Sequence, residues 1–237
     1  MDLFKHTLFI NLKHRADRLE HVLSEFQKMG ITNAERFEAI RTTSGNIGCT
    51  MSHIKCLEIA KERDYPYVFI CEDDITFTNP TLLLENIEKF NSLQLNWDVL
   101  VIGGNTGPAY QTISDYCIQI YNVQTTTGYI VQKHYYDTLL HNFKEGIQYL
   151  LREPNNKKQF AIDIYWKSLQ HRDKWYMIIP LTVIQYYDYS DIEETVVSYE
   201  KLMLDLDKKE LFELLRRKQE EERKRQYQDF FSMSFKK

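Results

Sequence analysis

The stretch Tyr67-Val68-Phe69-Ile70-Cys71-Glu72-Asp73-Asp74-Ile75-Thr76-Phe77 does most to limit how this chain can fold. It opens as an apolar, aromatic and β-branched run with Asp64 and Pro66 just before it. Such a short, bounded run predicts a buried strand. It then ends in three consecutive acids. Neighbouring carboxylates repel, so the arrangement is costly unless a cation or a set of donors gathers there. In an open α/β sheet, ligands bind outside the carboxyl ends of the strands, where these acids would lie. In extended chain, Glu72 and Asp74 point one way and Asp73 the other. A pair of hard oxygen ligands suits Mg2+ or Mn2+ shared with the phosphates of a substrate. A plain acidic turn is the blander alternative, and the fully apolar strand favours the metal.

The rest of the chain alternates between strand and helix patterns. Thr7–Leu12 predicts a first, central strand. A turn with Lys13, His14, Arg15 and Arg18 follows. Leu19, Val22, Leu23, Phe26 and Met29 then recur at helical spacing up to Gly30. Arg15 and Arg18, at the strand's carboxyl end, suit a diphosphate. As solvated bases they would oppose the helix dipole. Arg36–Ile40 predicts a second strand, and Thr42–Asn46 a loop. Gly48 is expected to open a helix with Ser52 and His53 in its first turns, where free N–H groups suit an anion. His53 alone fits a satisfied structural histidine better than a ligand.

Pro80 predicts another helix start. Trp97–Ile102 predicts a strand ended by Gly103-Gly104, which permits a ligand's close approach or a turn. Tyr116–Tyr121 and Thr126–Val131 predict strands, with a helix through Tyr135, Leu139 and Leu140 after them. Glu153–Lys158 is a polar loop by composition. Asp163 is a single acid among apolar residues at the start of a predicted helix, and it needs a partner or a job. A helix-capping or surface acid is the nearly equal alternative. Trp175–Pro180 and Thr182–Gln185 predict late strands, and Tyr186–Asp191 an aromatic and acidic loop.

The chain has 237 residues, enough for one substantial domain. Composition shifts near Asp205, which divides the chain into a main domain over 1–204 and a charged helical extension over 205–237. That helix is expected to dock by its apolar first half. A homo-oligomer contact or a peripheral membrane contact is the sharper alternative. The net charge of −4 gives no support for nucleic-acid binding. Four scattered cysteines form no Cys-x-x-Cys pair, so reduced thiols are expected rather than a zinc knuckle. With no signal or membrane-spanning run in sight, a cytoplasmic setting is the expectation.

Taken together, these pieces resemble glycosyltransferase family 25, which includes lipooligosaccharide and procollagen galactosyltransferases. The resemblance runs from Phe9 to about Glu194. It is carried by Ile10-Asn11-Leu12 with Arg15 and Arg18, by Gly48-Cys49-Thr50-Met51-Ser52-His53, and by Glu72-Asp73-Asp74. Gly128-Tyr129-Ile130 resembles the family's aromatic strand near the donor sugar, and Pro180, Gln185 and Ser190 its closing pattern. Asp163 resembles an acid that follows a proline by two residues, but here Ala161 stands at the proline's place.

The resemblance implies a GT-A-like nucleotide-sugar-binding α/β fold with a mixed, mainly parallel central sheet and a C-terminal helical extension. It implies inverting transfer from a UDP-hexose, galactose ahead of glucose, to a hydroxyl of a glycan or a hydroxylysine-containing protein. Mn2+, or Mg2+, would be held by Glu72 and Asp74. Asn11, Leu12, Arg15, Arg18, Ser52, His53, Asp73, Gly128, Tyr129 and Gln185 would bind the donor. Asp163 would be the general base, and His171 is a further candidate for the metal shell. A catalytically degenerate glycan- or nucleotide-binding module and a metal-dependent phosphoesterase are the alternatives. The lack of a compact second cluster of histidines counts against the latter.

Overall fold

The computed structural model describes residues 2–192 and 195–234, with side chains described up to 225. The chain begins with β1 (Thr7–Asn11), α1 (Ala16–Met29), β2 (Ala34–Glu38), α2 (Gly45–Glu62) and β3 (Tyr67–Glu72). The predicted strand ahead of the acids forms as β3 and is buried through Cys71. Gly30 ends α1 in the left-handed conformation (φ 70°), which glycine adopts without a Cβ clash. β4 (Ile75–Phe77) leads to α3 (Pro80–Ser92), where Pro80 sits in the first turn and Asn79 Oδ1 accepts the Leu82 N–H at 3.1 Å.

β5 (Val99–Thr106), β6 (Tyr110–Ser114), β7 (Cys117–Ile120) and β8 (Val123–Gln132) follow. After them come α4 (Tyr136–Arg152), α5 (Lys157–Phe160), α6 (Ile162–Tyr165) and α7 (Lys167–Arg172). The chain continues through β9 (Trp175–Ile178), β10 (Val183–Gln185), β11 (Asp188–Ser190), β12 (Thr195–Val197), α8 (Glu200–Leu204) and α9 (Lys209–Ser234).

Eight strands form one sheet in the order β2-β1-β3-β8-β5-β9-β7-β6. The pairings make it mixed. β2, β1, β3, β5, β9 and β6 run one way, and β8 and β7 run the other. The expected mixed, mainly parallel α/β sheet is thus present. Its two faces are covered by different helices. One face packs Leu57 of α2, Leu139 and Phe143 of α4 and Trp166. The other packs Val22 and Phe26 of α1 with Leu83, Ile87 and Phe90 of α3. Burial on both sides explains why β1 and β3 read as near-continuous apolar runs.

The sheet topology decides where chemistry can gather. β1 and β3 are parallel neighbours with Ile10 opposite Glu72, so Asn11 and the acids emerge at the same edge. β8 runs against β3 with Cys71 opposite Gly128, which brings Thr125 and Thr126 to that edge as well. β10 pairs with β4 outside the main sheet, and β11 pairs with β12. Val183 of β10 explains Gly103. A Cβ there would lie 2.6 Å from the Val183 side chain, so the glycine serves packing rather than a ligand's approach. α9 departs from expectation. Phe212, Leu214 and Leu215 in its first half are 45–51% exposed, so this half is not docked by its apolar residues. The aromatic tail Phe230–Phe235, which by sequence could dock or fray, lies outside the described side chains. No helix among the described residues is long and apolar enough to cross a membrane.

Candidate functional site

Two adjoining cavities open at the carboxyl edge of β1 and β3. The larger holds about 410 Å3 and is lined by Leu12, Arg15, Arg18, Ser52, His53, Glu72, Asp73, Asp74 and Gln185, among others. The smaller holds about 270 Å3 and is lined by Thr125, Thr126, Lys157, Lys158 and Asp163. Cys49, Glu72, Gln185, Ser190 and Ile192 belong to the walls of both. Of the expected site residues, Asn11, Gly128, Tyr129 and His171 line neither cavity.

The three acids have separate surroundings. Asp73 Oδ2 accepts the Asn11 side-chain N–H at 2.7 Å, and Asp73 Oδ1 accepts from Arg18 at 3.1 Å. Asn11 therefore acts from behind the cavity by holding Asp73. Asp74 lies 3.6 Å from Arg18 and accepts the Gln185 amide at 3.3 Å. Burial pushes the Asp74 carboxyl well above its ordinary range, and the charge on Glu72 adds to this. Burial also pushes Glu72 up, but His53 and the Thr126 hydroxyl outweigh it and hold Glu72 below the usual range. The two acids are thus pulled in opposite directions, Glu72 towards its charged form and Asp74 towards its neutral one.

His53 and Ser52 are not in the first turns of α2. The helix starts at Gly45, three residues before the expected position, so both lie further along it, fully buried. Ser52 donates to the Gly48 carbonyl at 2.7 Å and accepts the Ile40 N–H at 2.9 Å, which ties α2 to the end of β2. His53 Nδ1 meets the Tyr129 hydroxyl at 2.9 Å, and His53 Nε2 lies 3.4 Å from Glu72. Tyr129 is fully buried and orients His53 rather than facing a ligand. Gly128 supports the same region by packing. A Cβ there would lie 2.8 Å from Ile75.

Arg15 and Arg18 are not free for an anion here. Arg15 binds Asp17, Asp188 and Asp191 and donates to the Tyr189 carbonyl. Arg18 spans Asp73, Asp74 and Asp188. Asp188 and Asp191 are partners that no sequence spacing could reveal, since they lie some 170 residues away. His171 stacks on Tyr121 and lines neither cavity.

Asp163, at the start of α6, accepts the Thr125 N–H at 3.0 Å. Burial pushes its carboxyl above the ordinary range, with Glu72 adding to the shift. Thr125 donates from φ 66°, a left-handed conformation that a β-branched residue rarely adopts. Such strain costs about 1–3 kcal/mol and collects at functional sites.

Seven buried side-chain polar atoms among the described residues lack a hydrogen-bond partner, and four are here: Asn11 Oδ1, His53 Nε2, Asp74 Oδ1 and Gln185 Oε1. Buried polar groups are normally satisfied. Their concentration at one edge leaves four unpaired polar atoms close to the acids. Asp74 Oδ1 and the Glu72 carboxylate are hard oxygen donors of the kind that Mg2+ or Mn2+ takes.

Residues 41–101 match the sequence model of Glycosyltransferase family 25 (LPS biosynthesis protein). This stretch is similar to family 25. It contains α2, β3 and the three acids, so the resemblance stated from the sequence is present where the large cavity is walled. No curated protein matches the chain. Among solved structures, the chain is similar to a glycosyltransferase involved in glycosylation of the major capsid of PBCV-1. That similarity has 14% identity, 73% of this chain, 80% of that chain and a TM-score of 0.46. The A197 protein of STIV gives 12% identity, 81% and 93% coverage and a TM-score of 0.42. A Drosophila β-1,4-galactosyltransferase 7 mutant complexed with manganese, UDP-Gal and xylobiose gives 13%, 56%, 51% and 0.35. At such scores the similarity reaches no individual residue.

Proposed function

We propose that the protein is a glycosyltransferase that moves a hexose from a UDP-sugar to a hydroxyl of a glycan or glycosylated protein. The observation that carries this reading is the position of the family 25 stretch. It supplies one wall of the larger cavity, including the three acids. Galactose ahead of glucose as the donor sugar comes from the family resemblance.

In this reading the larger cavity takes the nucleotide diphosphate and the smaller one the acceptor. Glu72 and Asp74 would hold the divalent cation, Mn2+ or Mg2+. When bound, that cation offsets the charge that develops on the leaving diphosphate. Arg15 and Arg18 lie in the same wall and add positive charge once their bonds to Asp188 and Asp191 are exchanged for bonds to the donor. Asp163 stands in the smaller cavity with one oxygen fixed by Thr125. Its raised affinity for protons suits a base that takes the acceptor hydroxyl's proton as that oxygen attacks. Attack from the face opposite the diphosphate gives inversion at the sugar carbon.

The test is UDP release from a panel of UDP-sugars, with Mn2+ or with chelator, in the presence of simple glycan acceptors. Metal-dependent release from one UDP-hexose supports the reading. Absence of release together with absence of UDP binding contradicts it.

A further inference from the structure

Cys49 and His53 are four residues apart on α2, so they share one face of the helix. Glu72, at the end of β3, faces them. The Cys49 Sγ, a His53 ring nitrogen and a Glu72 carboxylate oxygen all lie within 4.8 Å of one another. His53 is fully buried, and its Nε2 has no hydrogen-bond partner although it sits 3.4 Å from Glu72. Its other nitrogen is occupied by the Tyr129 hydroxyl at 2.9 Å. That contact fixes the ring, as the outer partner of a metal-bound imidazole does. Asp74 does not join this group.

We propose that Cys49, His53 and Glu72 form a cation site distinct from the Glu72–Asp74 pair, and that it takes Zn2+. A thiolate, an imidazole and a carboxylate make a mixed set that suits zinc in four-coordinate geometry. Mg2+ prefers oxygen donors throughout. Three protein ligands leave one position open. Cys49 and Glu72 line both cavities, so an ion has a path in. On binding, the Cys49 thiol releases its proton to solvent as the zinc–sulfur bond forms. Because Glu72 belongs to both cation sites, zinc there removes one ligand from the oxygen pair.

The test needs neither nucleotide nor sugar, so its failure is separable from failure of the donor reading. The full chain, freed of metal by chelator, is titrated with Co2+ while the thiolate-to-cobalt absorbance in the near ultraviolet is followed. The expected result is a saturable band that Zn2+ abolishes, that excess Mg2+ leaves in place, and that is lost in Cys49→Ser. No band in the wild-type protein, or an undiminished band in Cys49→Ser, overturns the proposal. If Cys49→Ser does not fold, as read by circular dichroism, the wild-type chain decides. Zn2+ should slow iodoacetamide modification of Cys49, followed by peptide mass, and an unchanged rate overturns the proposal.

Discussion

Arg18 Nη1 lies 3.1 Å from Asp73 Oδ1, and each side chain is about a tenth exposed. The pair joins the first turn of α1 to the acidic end of β3. It accounts for how three adjoining carboxylates are tolerated, since Arg18 also reaches Asp74 and Asp188. Removing one partner of a buried ion pair leaves the other charge uncompensated, which costs about 3–5 kcal/mol. Arg18→Ala should therefore lose about 3 kcal/mol of stability, read as a fall in the urea midpoint. Arg18→Lys should recover part of it. An unchanged midpoint in Arg18→Ala would show that the acids are held by other means.

Asp163 predicts opposite signs for stability and for activity. Its carboxyl is raised by burial, so the folded state binds its proton more tightly than the unfolded state. This contribution is complete below the unfolded value of about 4. It is lost as pH rises from there through the folded value. Asp163→Asn removes that loss and keeps an oxygen for the Thr125 N–H. The variant should match the wild type in urea midpoint near pH 4 and exceed it at pH 7. Turnover should fall about 100- to 10,000-fold if Asp163 is the base. A variant that is less stable than wild type at pH 7 would contradict the electrostatic part of this account.

Gly48 sets the seating of α2. A Cβ there would lie 2.3 Å from the Ile40 carbonyl oxygen, a backbone atom that cannot swing aside. Gly48→Ala should cost about 1–3 kcal/mol through overpacking. It should also disturb the Ser52 bonds to Gly48 and Ile40. Thermal unfolding monitored by circular dichroism checks this, and an unchanged midpoint would mean that the helix shifts freely.

The sequence made the central features readable where the signal was local. β3 could be predicted because an apolar strand and its acids are contiguous. α1 could be predicted because its apolar residues recur at helical spacing. The start of α2 was less visible. Gly45 and Asn46 favour loops by composition, yet both are helical, and Gly45 packs so closely on Ile192, far along the chain, that a Cβ would lie 3.0 Å from it. β4 and β6 gave no clear signal. β4 is three residues long, and its pairing partner, β10, is distant in sequence.

The site was legible as a set of residues and not as a set of contacts. Nothing near Arg15 or Arg18 indicates that Asp188 and Asp191 bind them. Cys49 was visible at helical spacing from His53, but its third neighbour, Glu72, comes from another element. Thr125 was hidden because its strained φ is imposed by the fold. Tyr129 has the residue type of a ring that could stack on a sugar, and only its complete burial reveals that it faces His53.

The central claim is that the acidic edge of β3 binds a nucleotide diphosphate through a divalent cation. Asp74 tests it most directly, because its Oδ1 is buried without a partner. Calorimetric titration of UDP into the wild-type protein and Asp74→Asn, each with Mn2+ and with chelator, is the measurement. The account predicts saturable binding to the wild type with Mn2+, a large loss with chelator, and a comparable loss in Asp74→Asn under both conditions. Equal UDP affinity in all four titrations, or no UDP binding to the wild type with Mn2+, would contradict it.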